Sequence, residues 1–299
     1  MSLPLTLPRV GMREGLMATA GLLLSLWIGK HLAAATGFGD VIFTLIAAFQ
    51  LYVPLWLIQR AGEAPESHGI HTHGLLLGPI AALRSLVVRG RRQRTRAKAP
   101  TSTRVKPEPA TTPEPALLRP RRRRGRPGPF ARLLAYYGRG AVFRPRAFFE
   151  DIGRAVVVAG LTFPLFAVGY HFWQQLMGNG YGGFNTPEDL GTVLLKQTFL
   201  IALPEELFYR GFLETRLERM WPTKRSFLGL PIGRTVVLAS FLFALGHFLG
   251  EYNPARFGPF FPAFVFSMLV RRSHSISGAI LYHGLSNACS YYLLSGYHR

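Results

Sequence analysis

The residues of this chain able to do chemistry sit where charge is costly. In LPEELFYRGF, residues 203–212, Glu205, Glu206 and Arg210 lie inside otherwise apolar sequence. Further on, SFLFALGHFLG carries Phe243 and His247, and ISGAILYHGLSNACSYYLL carries His283 and Asn287, each pair four residues apart. Ionisable groups at membrane depth are expensive and mark function unless they pair or reach the interface. Lys196, His171 and His274 have that exit, being near predicted ends or loops.

Helical geometry separates the two glutamates. Glu206 and Arg210 fall about 40° apart around the axis, acid first, the favoured order for an ion pair, whereas Glu205 is turned by about 100° from Glu206. Glu206 and Arg210 are thus expected to be structural, and Glu205 to be the free carboxylate. On the other two helices, Phe243 shares a face with His247, and Asn287 shares one with His283. Gly246, Gly250, Gly284 and Ala288 provide smooth faces where another helix can approach.

A carboxylate, two imidazoles and an amide in one polar cavity suit amide hydrolysis. Glu205 with His247 can activate water, and His283 with Asn287 can donate to the oxyanion of a tetrahedral intermediate. The same Glu205, His247 and His283 are also a possible zinc set, with an open water position. HExxH is absent, and an Asn suits an oxyanion better than zinc, so the metal-free version is favoured. Cys289 is the only cysteine, which excludes an internal disulfide and a Cys-based zinc cage; packing is its expected role. His68, His71 and His73 in SHGIHTHG form a short cluster of possible metal ligands.

The elements that must position these groups are membrane helices. At 48% apolar, 13% aromatic and 17% charged, the chain is too apolar for an ordinary soluble enzyme. Apolar runs near 15–35, 39–59, 152–177, 235–250, 254–270 and 276–295 approach the roughly 20 residues needed to cross a bilayer. Segment 190–220 is more polar, and Pro204 leaves open whether it is one kinked span or a span followed by an interfacial helix. Arg9 and Arg13 before the first run give it some signal-peptide character, but Lys30, His31 and the immediate second span favour an uncleaved anchor.

Most of the +20 net charge belongs to one segment. Between Arg84 and Arg146 there are 19 Lys or Arg against two acids, with Pro-rich sequence between the basic clusters. That composition cannot bury a core and is expected to be disordered. Anionic lipid headgroups are its expected partner, rather than a specific nucleic acid, and residues 70–90 are expected to lie as an interfacial helix on the same surface. The positive-inside tendency places this linker in the cytoplasm. Alternation then gives seven crossings, with the N-terminus inside and His298 and Arg299 outside; Lys30 and Arg256 stand alone on the outer side.

The expected architecture is therefore all-α: a polytopic bundle of about seven transmembrane helices with a disordered basic cytoplasmic linker. Residues 1–62 hold two transmembrane helices, 63–147 the linker, and 148–299 the core that carries the chemistry.

EExxxR at Glu205, Glu206 and Arg210, FxxxH at Phe243 and His247, and HxxxN at His283 and Asn287, in that order, resemble the CPBP family of intramembrane endopeptidases, which includes Rce1-type CAAX prenyl proteases and bacterial Abi proteins. The likeness covers roughly 150–295. It implies an all-helical protease opening toward the cytoplasmic side, in which Glu205 and His247 activate water and His283 and Asn287 stabilise the oxyanion. Both metal-dependent and glutamic-type descriptions exist for the family, so the likeness leaves zinc open. The implied substrate is a membrane-anchored protein or peptide, and the Arg-, Ala- and Pro-rich composition points to a bacterial inner membrane. A transporter or a non-catalytic scaffold is the competing class; no internal repeat supports the first, and a scaffold has no use for these buried groups.

Overall fold

In the computed structural model, the described residues are 12–61, 65, 70, 144–183, 189–224, 229–230 and 232–298. Most of the linker, with its expected interfacial helix and His68, His71 and His73, lies outside them.

The N-terminal apolar runs form α1 (Met12–Thr36) and α2 (Gly39–Arg60), an antiparallel pair joined through Gly37, whose φ of 73° suits a residue without a Cβ. Helix α3 (Pro145–Leu176) begins on a proline, which needs no N–H partner in the first turn. The chain next makes the short strand β1 (Gly180–Tyr181).

The segment carrying the two glutamates resolves the question left by Pro204: it is a single uninterrupted helical run, here called α4, not a span followed by a separate helix. It starts as α-helix at Leu190–Lys196, widens to π-helical turns over Gln197–Ala202, and tightens at Leu203–Glu206. It then widens again over Leu207–Glu214 and ends as Thr215–Met220. Pro204 cannot donate a helical hydrogen bond, and only Leu203 separates it from the first wide stretch.

Helix α5 (Arg234–Glu251) ends at Tyr252 in the left-handed conformation; a single 3-10 turn (Pro254–Phe257) leads to α6 (Phe260–Ser273). Helix α7 (Ser277–Leu294) is followed by β2 (Tyr297–His298), which pairs antiparallel with β1. This two-residue ladder, absent from the all-helical expectation, ties the ends of α3 and α7 together.

Four helices among the described residues are long and apolar enough to cross a membrane: Arg13–Thr36, Gly39–Arg60, Pro145–Leu176 and Arg234–Glu251. The expected seven crossings are matched to that extent. Helix α6, at 14 residues, is only about 21 Å long, short of a bilayer core of about 30 Å.

Side-chain contacts define two ends of the bundle. At one, a Cβ on Gly15 would meet Arg216 and one on Gly278 would meet Asp151, so the starts of α1, α3 and α7 gather beside the end of α4. Arg13, Arg60, Arg144, Arg234 and Arg271 lie at this end. Lys30 over the Tyr252 ring and the β1–β2 pair mark the other.

Candidate active site

Helix α4 presents its acids toward α7 and α5. Glu206 and Arg210 pair at 3.2 Å, with side chains 0% and 1% exposed. The guanidinium also donates to the Ala263 carbonyl at 3.3 Å and lies against the Phe243 and Phe266 rings at 4.4 and 4.8 Å. Aromatic faces attract a cation, which offsets part of its loss of water. The expected ion pair is present, and it is one part of a larger buried cluster.

The additional member is His283. Its Nδ1 lies 2.9 Å from Glu206 Oε1, so the imidazole N–H donates to the carboxylate; its Nε2 is 3.7 Å from Glu205 Oε2. The ring stacks on Phe266 at 4.6 Å with 17° between planes. His283 thus bridges the two glutamates, close to Glu205 but beyond direct hydrogen-bond reach.

Glu205 keeps the free oxygen foreseen for it. Its side chain is 17% exposed, and Oε2 has no hydrogen-bond partner. It lines a cavity of about 540 Å³ together with Tyr209, His247, Gln50, Lys30 and Arg256. His247 Nδ1 is 3.0 Å from the Phe243 carbonyl. A carbonyl only accepts, so Nδ1 carries the donated proton, and in the neutral ring Nε2 retains its lone pair. Phe243 therefore orients His247 through its backbone, while its ring packs on Arg210 and edge-on against His283 at 5.7 Å.

Asn287 stands apart from this arrangement. Its amide donates to Gln197 Oε1 at 3.0 Å, tying α7 to the first wide stretch of α4. Neither Asn287 nor His283 is among the cavity's lining residues. Of the sequence candidates, Glu205 and His247 share the cavity, His283 touches both carboxylates from behind, and Asn287 bonds across to α4.

The small residues divide in the same way. A Cβ on Gly246 would come within 3.1 Å of the Tyr209 hydroxyl and 3.2 Å of Leu26, and one on Gly284 within 2.9 Å of Thr198 Cα. These glycines permit close approach, as expected. Gly250 has no neighbour that a Cβ would meet and instead lines the cavity, so its effect is to leave space rather than to admit a helix.

Glu205, His247 and His283 do not converge as a metal cage, and no group of three such ligands does so among the described residues. Cys289 is half-buried on α7.

Sequence reasoning overlooked Gln50, Tyr209 and Gln197, and it noted Lys30 and Arg256 only as isolated charges. Lys30 Nζ sits 3.7 Å from the Tyr252 ring centroid, and Arg256 pairs with Glu251. Their presence in the lining places the cavity in the half of the bundle remote from Arg13, Arg60 and Arg144. The opposite end is closed by polar bonds. Arg271 reaches Glu214 and Glu218, both at 2.9 Å, Ser267 donates to Glu214 at 2.6 Å, and Thr235 donates to Glu218 at 2.6 Å.

Residues 187–289 match the family model described as type II CAAX prenyl endopeptidase Rce1-like. That match supports the CPBP, or CAAX-protease, family. It takes in all three motifs and the whole Glu205–Glu206–Arg210–His283 cluster. With the four apolar helices, it supports an integral membrane protein and, in general terms, an intramembrane CAAX-type protease, a peptide hydrolase. No curated protein and no solved structure matches the chain. The Rce1-like segment excludes α1, α2 and α3 altogether, although α1 and α2 supply part of the cavity wall.

Proposed function

We propose that the chain hydrolyses a peptide bond of a membrane-anchored protein or peptide with water activated by Glu205 and His247. The observation that carries this reading is the shared cavity, lined both by Glu205, whose buried Oε2 has no hydrogen-bond partner, and by His247, whose tautomer the Phe243 carbonyl fixes. Water bound between them gives a proton to the Glu205 carboxylate while its oxygen attacks the scissile carbonyl carbon. When the C–N bond breaks, that proton passes to the departing amine, and a carboxylic acid and a free amine leave.

His283 and Asn287 are the residues the family likeness assigns to the oxyanion. Their hydrogen bonds to Glu206 and Gln197 support positioning roles in this conformation: His283 holds the glutamate turn, and Asn287 holds the wide stretch before it. The Tyr209 hydroxyl opens on the same cavity and is available as a donor there.

The cation-rich end is assigned to the cytoplasm by the positive-inside tendency, with the basic linker against anionic headgroups. The cavity then lies toward the opposite face of the membrane. This departs from the cytoplasmic opening that the likeness implies, and it fits the polar closure around Glu214, Glu218 and Arg271. The test is cleavage of an apolar membrane peptide by the purified chain in detergent. Activity that disappears in Glu205→Gln and His247→Ala supports the reading, and activity retained in either variant refutes it.

A further inference from the structure

Gln50 stands in the middle of α2, a helix of mean hydropathy 2.1. The residues that α2 buries are Ile46, Gln50, Pro54 and Ile58, a single stripe at four-residue spacing. That helix packs directly on the Leu203–Glu206 turn of α4, so the stripe faces the glutamates. Gln50 is only 5% exposed, lines the same cavity as Glu205 and His247, and makes no hydrogen bond among the described residues. Its amide atoms are not among the sealed, unpartnered ones, so they keep access to the cavity, and a polar group left without a partner at membrane depth is costly. Packing alone would be served better by Leu or Met.

A primary amide offers one acceptor oxygen and two N–H donors, the complement of a peptide unit's N–H and C=O. In a membrane helix, those backbone groups are satisfied internally. To be hydrolysed, the scissile peptide must leave the helix, which strips one or more such groups of their partners. A cavity that cuts peptides in lipid therefore needs a neutral group to receive them. We propose that Gln50 binds the backbone of the substrate beside the scissile bond, so that the α1–α2 pair, outside the Rce1-like segment, forms a substrate-binding wall. This rests on the protease reading above.

The test uses the full chain in detergent and a labelled peptide of roughly 20 apolar residues, together with versions N-methylated at single backbone positions. Affinity is measured on the Glu205→Gln chain, which holds the peptide uncut; cleavage is measured on the unmodified chain. Adding Gln50→Leu is expected to weaken peptide binding about tenfold. N-methylation at one position is expected to cost a similar factor with Gln50 present and little once it is replaced, the signature of a direct contact. Unchanged affinity in Gln50→Leu, or a methylation penalty that persists in full at every position, overturns the inference. If Gln50→Leu fails to fold, Gln50→Met is read in the same way. Cleavage retained by Glu205→Gln, or none by the unmodified chain, counts against the protease reading; the binding results decide the role of Gln50 separately.

Discussion

Replacing Arg210 with methionine would leave the Glu206 carboxylate at 0% exposure with His283 as its remaining hydrogen-bond partner. The guanidinium is 1% exposed, its gap between the Phe243 and Phe266 rings would be filled by an apolar chain of similar length, and the Ala263 carbonyl would lose its donor. Removing one partner of a buried pair costs about 3–5 kcal/mol, most of it from the charge left behind. The double variant Glu206→Gln/Arg210→Met removes that stranded charge and is expected to recover at least about half the loss, since replacing both members of a buried pair is often nearly neutral. Unfolding of the purified chain in detergent, followed by helical circular dichroism across a denaturant series, gives all three stabilities in one double-mutant cycle. A loss under about 1 kcal/mol in Arg210→Met, or strictly additive single effects, would refute the reasoning.

Three further outcomes follow from the packing and charge layout. Gly284→Val should destabilise by about 1–3 kcal/mol in the same assay, because its side chain must displace the Thr198 backbone, whereas Gly250→Ala, with open space, should stay within about 0.5 kcal/mol. At the cation-rich end, burial acts to raise the pKa of Glu218, but hydrogen bonds from Thr235, the Thr223 backbone and Arg271 outweigh it and hold the carboxyl below its ordinary 4.5. A depressed folded pKa contributes stability above 4.5 that is lost as pH falls through the folded value, so unfolding measured from pH 6 to pH 3 should show Glu218→Gln less acid-sensitive than the parent. In intact cells, a membrane-impermeant maleimide should label Ala33→Cys in a Cys289→Ser background and leave Arg60→Cys unlabelled; the reverse pattern would put the cavity on the cytoplasmic side.

The charged pair was legible because helix geometry fixes it locally: Glu206 and Arg210 meet at the expected spacing even though the turns around them are widened. The free oxygen of Glu205 followed from the same geometry. His247 was found by its cost in an apolar helix, but the grip of the Phe243 carbonyl on it is a backbone contact with no side-chain signature. His283 looked like an oxyanion donor when paired in sequence with Asn287. The tertiary packing of α7 on α4 turns His283 to both glutamates and gives Asn287 to Gln197, and no spacing within α7 encodes those partners. Gln50 and Lys30 are each a single polar residue in an apolar helix, so neither points to the site by itself, and only the packing of α1 and α2 against α4 and α5 brings them to the cavity beside Tyr209. The π-helical turns of α4 were likewise hidden, since Pro204 announced a disturbance of the helix but not whether the chain would break or widen.

The most direct test of the account is the rate at which purified chains cleave an apolar membrane peptide in detergent with Glu205 changed to Gln. The substitution keeps the size of the side chain and its place beside His283 while removing the base. Loss of about 100-fold or more in kcat, with peptide affinity unchanged, is the predicted result. A Glu205→Gln chain that cuts at the parent rate would contradict it.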